Sequence, residues 1–194
     1  YYGITFNKIK LSPLNIYGTN GMTKLGDLNQ IEHLCSCLYA LGIDNLKITV
    51  DKKEMPIIDG CSKYFINTIL EVGIKVFDED KQVININREI VVEHNDSYIK
   101  YIPGNDYYTT FECIVDFPYV GVQSYSWNSK NIKEYINNIS NAVTFFWDKQ
   151  VEDEYNLGRC KGLIKDKNCI IYGPDNKLNN NELARHKLLD LIGD

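Results

Sequence analysis

Basic charge, histidine and long apolar runs are all in short supply in this sequence. Lys and Arg number 21 against 26 Asp and Glu, a formal net charge of −5. Composition therefore signals no broad basic face for nucleic acid, although a local basic pocket for a phosphate stays open. The apolar runs are short and broken by Lys, Glu, Asp or Asn, so no membrane-spanning helix is predicted. The 6 cysteines (Cys35, Cys37, Cys61, Cys113, Cys160 and Cys169) contain no CxxC pair. Reduced, mostly buried thiols in a reducing compartment are expected. Cys35 and Cys37, two apart on a predicted helix, point in different directions, which speaks against a shared thiolate site. There is no Gly-rich phosphate loop, no Gly-x-Ser-x-Gly, and no Cys beside a base. The sequence opens Tyr1-Tyr2-Gly3 and stops at Asp194. Both ends read as cut, so no targeting segment is legible.

What is present is an ordinary core-forming composition, with 44% hydrophobic residues among 194, enough for one large domain or two small ones. Helical spacing predicts a helix over 28–41, with Leu28, Ile31, Leu34, Cys35, Leu38 and Leu41 on one face and Gly42 as its stop. Further helices are predicted over 62–71, 131–143 and 181–192. Leu46, Ile48 and Val50 alternate as a half-buried strand. Residues 83–92, 98–102 and 109–117 read as three successive antiparallel strands, with turns at Asn95-Asp96 and Gly104-Asn105-Asp106. A short strand over 169–172 precedes the turn Gly173-Pro174-Asp175-Asn176. Strands and helices are segregated, which favours α+β over a parallel α/β sheet. The polar stretch Phe77-Asp78-Glu79-Asp80-Lys81 is the expected boundary between units 1–77 and 78–194.

Only 3 histidines occur, so each can be weighed. His186 and Asp190 stand at i and i+4 on the last predicted helix, about 5–6 Å apart at Cβ. That spacing suits either an ordinary ion pair across a helical turn or a metal chelate. His33, preceded by Glu32, stands off the apolar stripe of the first helix, as a surface histidine or a ligand would. His94 falls at a hairpin tip and reads as solvated.

Taken in order, several segments resemble one family. Ile31-Glu32-His33-Leu34, Ala40-Leu41-Gly42-Ile43-Asp44-Asn45 and Met55-Pro56-Ile57-Ile58-Asp59-Gly60 run close to its EHL, GIDN and PIMDGS motifs. Asn141-Ala142-Val143-Thr144-Phe145 resembles its ARTF segment. The run from Arg185 to Asp194 matches RHKxLDxIGD almost letter for letter. The chain is thus similar to the UDP-3-O-acyl-N-acetylglucosamine deacetylases of lipid A synthesis. The resemblance implies two similar α+β domains, helices packed between two sheets, and an active site in the cleft between the domains. It implies Zn2+ held by His33, His186 and Asp190, with Glu32 as the general base. Thr144 is implied to donate to the oxyanion, and Lys187 to support the intermediate or a substrate phosphate. Asp194 is implied to orient a histidine further along the chain that serves the leaving amine. An apolar acyl passage is implied along Phe145, Phe146, Trp147, Val151, Leu157 and Leu163, although ordinary core packing accounts for the same residues.

The expected partner is a UDP-sugar lipid substrate, with no nucleic acid, no transmembrane segment and a monomeric chain. The compartment is the cytoplasm in a bacterium, or a mitochondrion or plastid in a eukaryote. Some features depart from the pattern. The family's initial strands and its leaving-group histidine fall outside the chain. Asp166-Lys167-Asn168 stands for a longer GGSLDN-like loop. Val143 and Phe146 replace the usual Arg and Gly. A metal-keeping binding protein without turnover, and a plain α+β interaction domain, are the competing readings.

Overall fold

The computed structural model describes residues 3–18, 21–81, 83–104, 107–156, 162–165, 167–173 and 181–194, the side chains of Glu152 and Tyr155 excepted. Strand β1 (Ile4–Phe6) turns through Asn7 and Lys8, both at positive φ, into β2 (Ile9–Lys10). This is the left-handed geometry a two-residue hairpin favours. A short 3-10 turn at Pro13–Asn15 leads to the pair β3 (Lys24–Leu25) and β4 (Leu28–Asn29). Here the structure corrects the sequence reading. Leu28 pairs with Leu25 across a turn at Gly26, and Gln30 at φ 62° interrupts the backbone, so the helix predicted from Leu28 begins four residues later as α1 (Glu32–Ala40). Its end is as predicted. Gly42, at φ 67°, donates its N–H to Tyr39 O while Ile43 donates to Leu38 O, the paired bonds of a Schellman stop.

Strand β5 (Leu46–Ile48) joins β1 in parallel, and α2 (Lys63–Val72) ends at Gly73. Between Val72 and Ile90 no described residue belongs to a helix or strand. The three successive strands expected next are instead two separate hairpins. The first pairs β6 (Ile90–His94) with β7 (Ser97–Tyr101); the second pairs β8 (Thr110–Phe117) with β9 (Gly121–Asn128). Residues 83–89 add no strand among those described. Strand β9 carries no clear strand signal in the sequence, because its inward face is Gln123, Tyr125 and Trp127 while Val122 faces out, which inverts the usual alternation.

The helix predicted over 131–143 is α3 (Ile132–Glu134) running into a π turn, Tyr135–Ile139, and it stops at Ser140. Two further elements were not foreseen. Strand β10 (Phe145–Trp147) pairs in parallel with β11 (Ile170–Tyr172), and α4 (Asp148–Asn156) follows β10 directly. Helix α5 (Glu182–Gly193) closes the chain within one residue of expectation.

The layers are α+β as expected, with helices between sheets. Phe6, Leu25, Leu28 and Met55 meet Ile31, Leu34, Cys35 and Leu38 beneath the first sheet. A second cluster joins Cys37 of α1, Ile66 of α2, Tyr135 and Ile139 of the π turn, Trp127 of β9, and Leu188, Leu189 and Ile192 of α5. Helix α5 therefore lies with one side on α1 and another on the β8–β9 hairpin. Burying each of these large side chains contributes about 1.5–3 kcal/mol, and the second cluster is what brings α1 and α5 together. Cys35, Cys37, Cys61 and Cys113 are free thiols, and Cys35, Cys37, Cys61 and Cys169 are buried. Among the described residues no helix is long and apolar enough to cross a membrane.

Candidate metal centre

Helix α1 opens with Glu32 and His33, and both are buried because α5 crosses over them. The crossing is close: a β-carbon placed on Gly193 would stand 2.1 Å from the Glu32 carbonyl oxygen. His186 and Asp190, one turn apart on α5, face the same gap. His33 Nε2 lies 3.7 Å and His186 Nε2 3.6 Å from the same oxygen, Asp190 Oδ1. The two imidazoles meet edge to face, with centroids 5.1 Å apart at 90°. One ligand atom from each residue lies within 4.8 Å of the others.

These separations are too long for hydrogen bonds. Two ligands on one tetrahedral zinc are about 3.3 Å apart, so the donor set fits a single ion with two imidazole nitrogens and one carboxylate oxygen. The remaining Asp190 oxygen, Oδ2, accepts from Lys187 Nζ at 2.7 Å. His186 Nδ1 donates to Ala142 O at 2.9 Å, which leaves Nε2 as the free lone pair pointing to the gap.

The protonation states suit a ligand set. Burial, helped by the neighbouring His186, holds His33 down to about 4, and burial also lowers His186. Both are neutral near pH 7, as ligation requires. Burial alone would raise Asp190, but His186, Lys187 and His33 bring it down to about 2. Burial works against the Lys187 charge, yet Asp190 holds it above its ordinary value.

Glu32 behaves differently. Burial pushes its carboxyl up to about 7, and the charges of Asp190 and Asp194 add to this. Its Oε2 accepts the Thr23 N–H at 3.1 Å, while Thr23 Oγ1 donates to Asp194 Oδ1 at 2.5 Å. Burial raises Asp194 as well. Thr23 thus ties the carboxylate that opens α1 to the one that follows α5. No sequence pattern marks Thr23, since it sits in a segment without periodicity.

The remaining predicted residues divide in two. Phe145 packs its ring 5.9 Å from His186, and Lys187 Nζ lies 5.5 Å above it. Trp147, on the same side of β10, meets Phe117 and Tyr172. Phe146 points the other way. With Val151, Leu163, Cys169 and Ile171, and the charged Glu154 and Lys165, it lines a cavity of ≈ 200 Å³. Thr144 is half-buried and fixed through its backbone, donating to Gly60 O and accepting from Ile170 N. Leu157 lies outside the described residues. His94 is exposed at the β6–β7 tip, away from the centre.

Fold and site together define an α+β protein with a candidate two-histidine, one-aspartate metal centre where two helices cross. The particular family follows from comparison with known proteins. The family model for UDP-3-O-acyl N-acetylglycosamine deacetylase matches residues 2–194, and the chain belongs to that family. Proteins named UDP-3-O-acyl-N-acetylglucosamine deacetylase are similar to it. The one from Nautilia profundicola is 37% identical over 195 residues, covering 96% of this chain and 66% of its own length. That from Sulfurovum sp. is 34% identical over 198 residues, covering 96% and 66%. That from Campylobacter fetus is 31% identical over 197 residues, covering 97% and 67%. The chain spans about two thirds of the length of these curated relatives.

Proposed function

We propose that this chain carries the metal-binding part of a zinc-dependent deacetylase. The reaction is hydrolysis of the N-acetyl group of UDP-3-O-acyl-N-acetylglucosamine, giving the free amine and acetate, in lipid A synthesis within a bacterial cytoplasm. The observation that carries the reading is Asp190 Oδ1, poised at 3.6 and 3.7 Å from two neutral imidazoles while Lys187 occupies its other oxygen. Family membership and the names of the relatives supply the substrate class.

When bound, zinc supplies Lewis-acid chemistry, polarising an amide carbonyl and making water a nucleophile near neutral pH. His33, His186 and Asp190 would hold it. Glu32, with its carboxyl raised to about 7, takes a proton from the attacking water and can return it, as a group titrating near the working pH does best. The Thr144 hydroxyl donates to the developing oxyanion, worth roughly 3–4 kcal/mol if well aimed. Lys187 supplies positive charge beside the same centre. Asp194, held by Thr23, orients a histidine further along the full-length protein. The cavity behind Phe146, Val151 and Leu163 takes the start of the acyl chain, and Phe145 with Trp147 forms the wall between it and the centre. Residues 1–77 and 78–194 act as the two units whose cleft holds the site.

A second reading, a metal-containing binding protein without turnover, draws on Val143 and Phe146, which stand where the family pattern has Arg and Gly. Zinc analysis and acetate release from the UDP-sugar substrate separate the two. Stoichiometric zinc with acetate release supports the enzyme; zinc without release supports the second reading; no zinc overturns both.

A further inference from the structure

The two histidines of the centre share no structural element, so something must fix their separation. His33 belongs to α1 and His186 to α5, and a catalytic constellation tolerates only about 0.5 Å of slack. From the geometry we infer that Ser62 is the positioning residue that sets this distance; the inference rests on the metal-centre reading above. Ser62 is fully buried at the start of α2. Its hydroxyl donates to the His33 carbonyl oxygen at 2.6 Å, and its backbone N–H donates to Ser140 O at 3.0 Å. Two residues beyond Ser140, the Ala142 carbonyl receives the Nδ1 proton of His186. One residue therefore grips the backbone of the first histidine with its side chain and the support of the second with its main chain.

The strap leading to Ser62 is itself pinned. Gly60 O accepts from Thr144 N at 2.8 Å, and Gly60 sits at φ 77° where a β-carbon would fall 1.9 Å from Asn168 O. Asp59 caps the turn by accepting from the N–H groups of Cys61 and Tyr64. The strap cannot slide along β10 without breaking these contacts. Removing the Ser62 hydroxyl frees the His33 carbonyl from the strap; it also takes one partner from the Tyr135 hydroxyl, which keeps its bond to Ser36.

The test measures zinc affinity by chelator competition, without any turnover assay, on the unchanged protein and three variants. Ser62→Ala is expected to weaken zinc binding about 10- to 100-fold, the usual effect of losing an outer support of a ligand. Ser62→Cys, of similar shape but with a weaker donor, is expected to fall between, and it decides the matter if the alanine variant does not fold. Ser36→Ala removes an equally buried hydroxyl from α1, one that shares the Tyr135 contact of Ser62 but does not bond His33. It is expected to change affinity less than about threefold. Thermal unfolding of the metal-free proteins confirms folding. Unchanged affinity in Ser62→Ala and Ser62→Cys overturns the inference, as does an equal loss in Ser36→Ala. If the unchanged protein binds no zinc, the metal-centre reading falls and this inference falls with it.

Discussion

Gly193 and the Glu32 carbonyl oxygen are in such close register that a single methyl group on Gly193 would come within 2.1 Å of it. This contact allows α5 to cross directly over the residues that begin α1. Gly193→Ala is expected to destabilise the fold by ~1–3 kcal/mol, the usual cost of overpacking. It should also weaken zinc binding, because the helices that carry the ligands are pushed apart. A thermal midpoint and zinc affinity equal to those of the unchanged protein would show that the crossing has room to relax.

His186→Ala removes a proposed ligand and takes from Ala142 O the imidazole donor. Near-complete loss of zinc is expected by metal analysis of the purified protein. Retention of zinc at the level of the unchanged protein would rule out the proposed ligand set.

Glu32→Gln should keep zinc and lose roughly 10²–10⁴-fold in turnover, since the amide preserves the Thr23 contact but cannot take a proton. Loss of metal in this variant would instead make Glu32 a ligand or a determinant of the fold.

Burial pushes the thiols of Cys37 and Cys61 up to about 12, whereas in the unfolded chain they ionise near about 8.5. The unfolded state therefore releases these protons first. The stability tied to the neutral thiols is complete below about pH 8.5 and is lost as pH rises towards 12. Thermal midpoints between pH 8 and pH 11 should fall, and a Cys37→Ala/Cys61→Ala variant should fall less steeply. Parallel slopes would show that these thiols do not drive the alkaline loss.

Val151→Phe places a ring in the cavity shared with Phe146 and Leu163. The KM for a long-acyl substrate is expected to rise at least about tenfold, while a short-acyl analogue changes little, because only the longer chain needs the space. Equal effects on both substrates would move the acyl chain elsewhere.

The elements most legible in the sequence are those in which local and global signals agree. Helix α5 has Leu188, Leu189 and Ile192 buried on one side and Gly193 at its end, and its limits are met within one residue. The stop of α1 at Gly42 was equally clear. Its start was not, because Leu28 fits a helical stripe and a strand pair alike, and only the tertiary pairing with Leu25 decides between them. Strands β10 and β11 pair across a long separation, so Phe145–Trp147 carries no local mark of being a strand. At the site, the i and i+4 spacing of His186 and Asp190 suits an ion pair as well as a chelate, and His33 reads as a surface residue; it is the resemblance to the deacetylase family that singles out the three together. No such pattern marks Thr23, Ser62 or the Ala142 carbonyl. Their contribution is a hydrogen bond to a residue far along the chain, and hydroxyls and carbonyls are too common to stand out.

The clasp between Thr23 and Asp194 joins positions 171 residues apart, and this bears on how the protein is made. A growing chain exposes Glu32 and His33 early, but His186, Asp190 and Asp194 emerge only with α5. Closing so long a loop is slow compared with forming local helices and hairpins. Capture of the proposed ion is therefore a late event in biosynthesis, because a chain made only as far as α4 lacks two of the three candidate ligands.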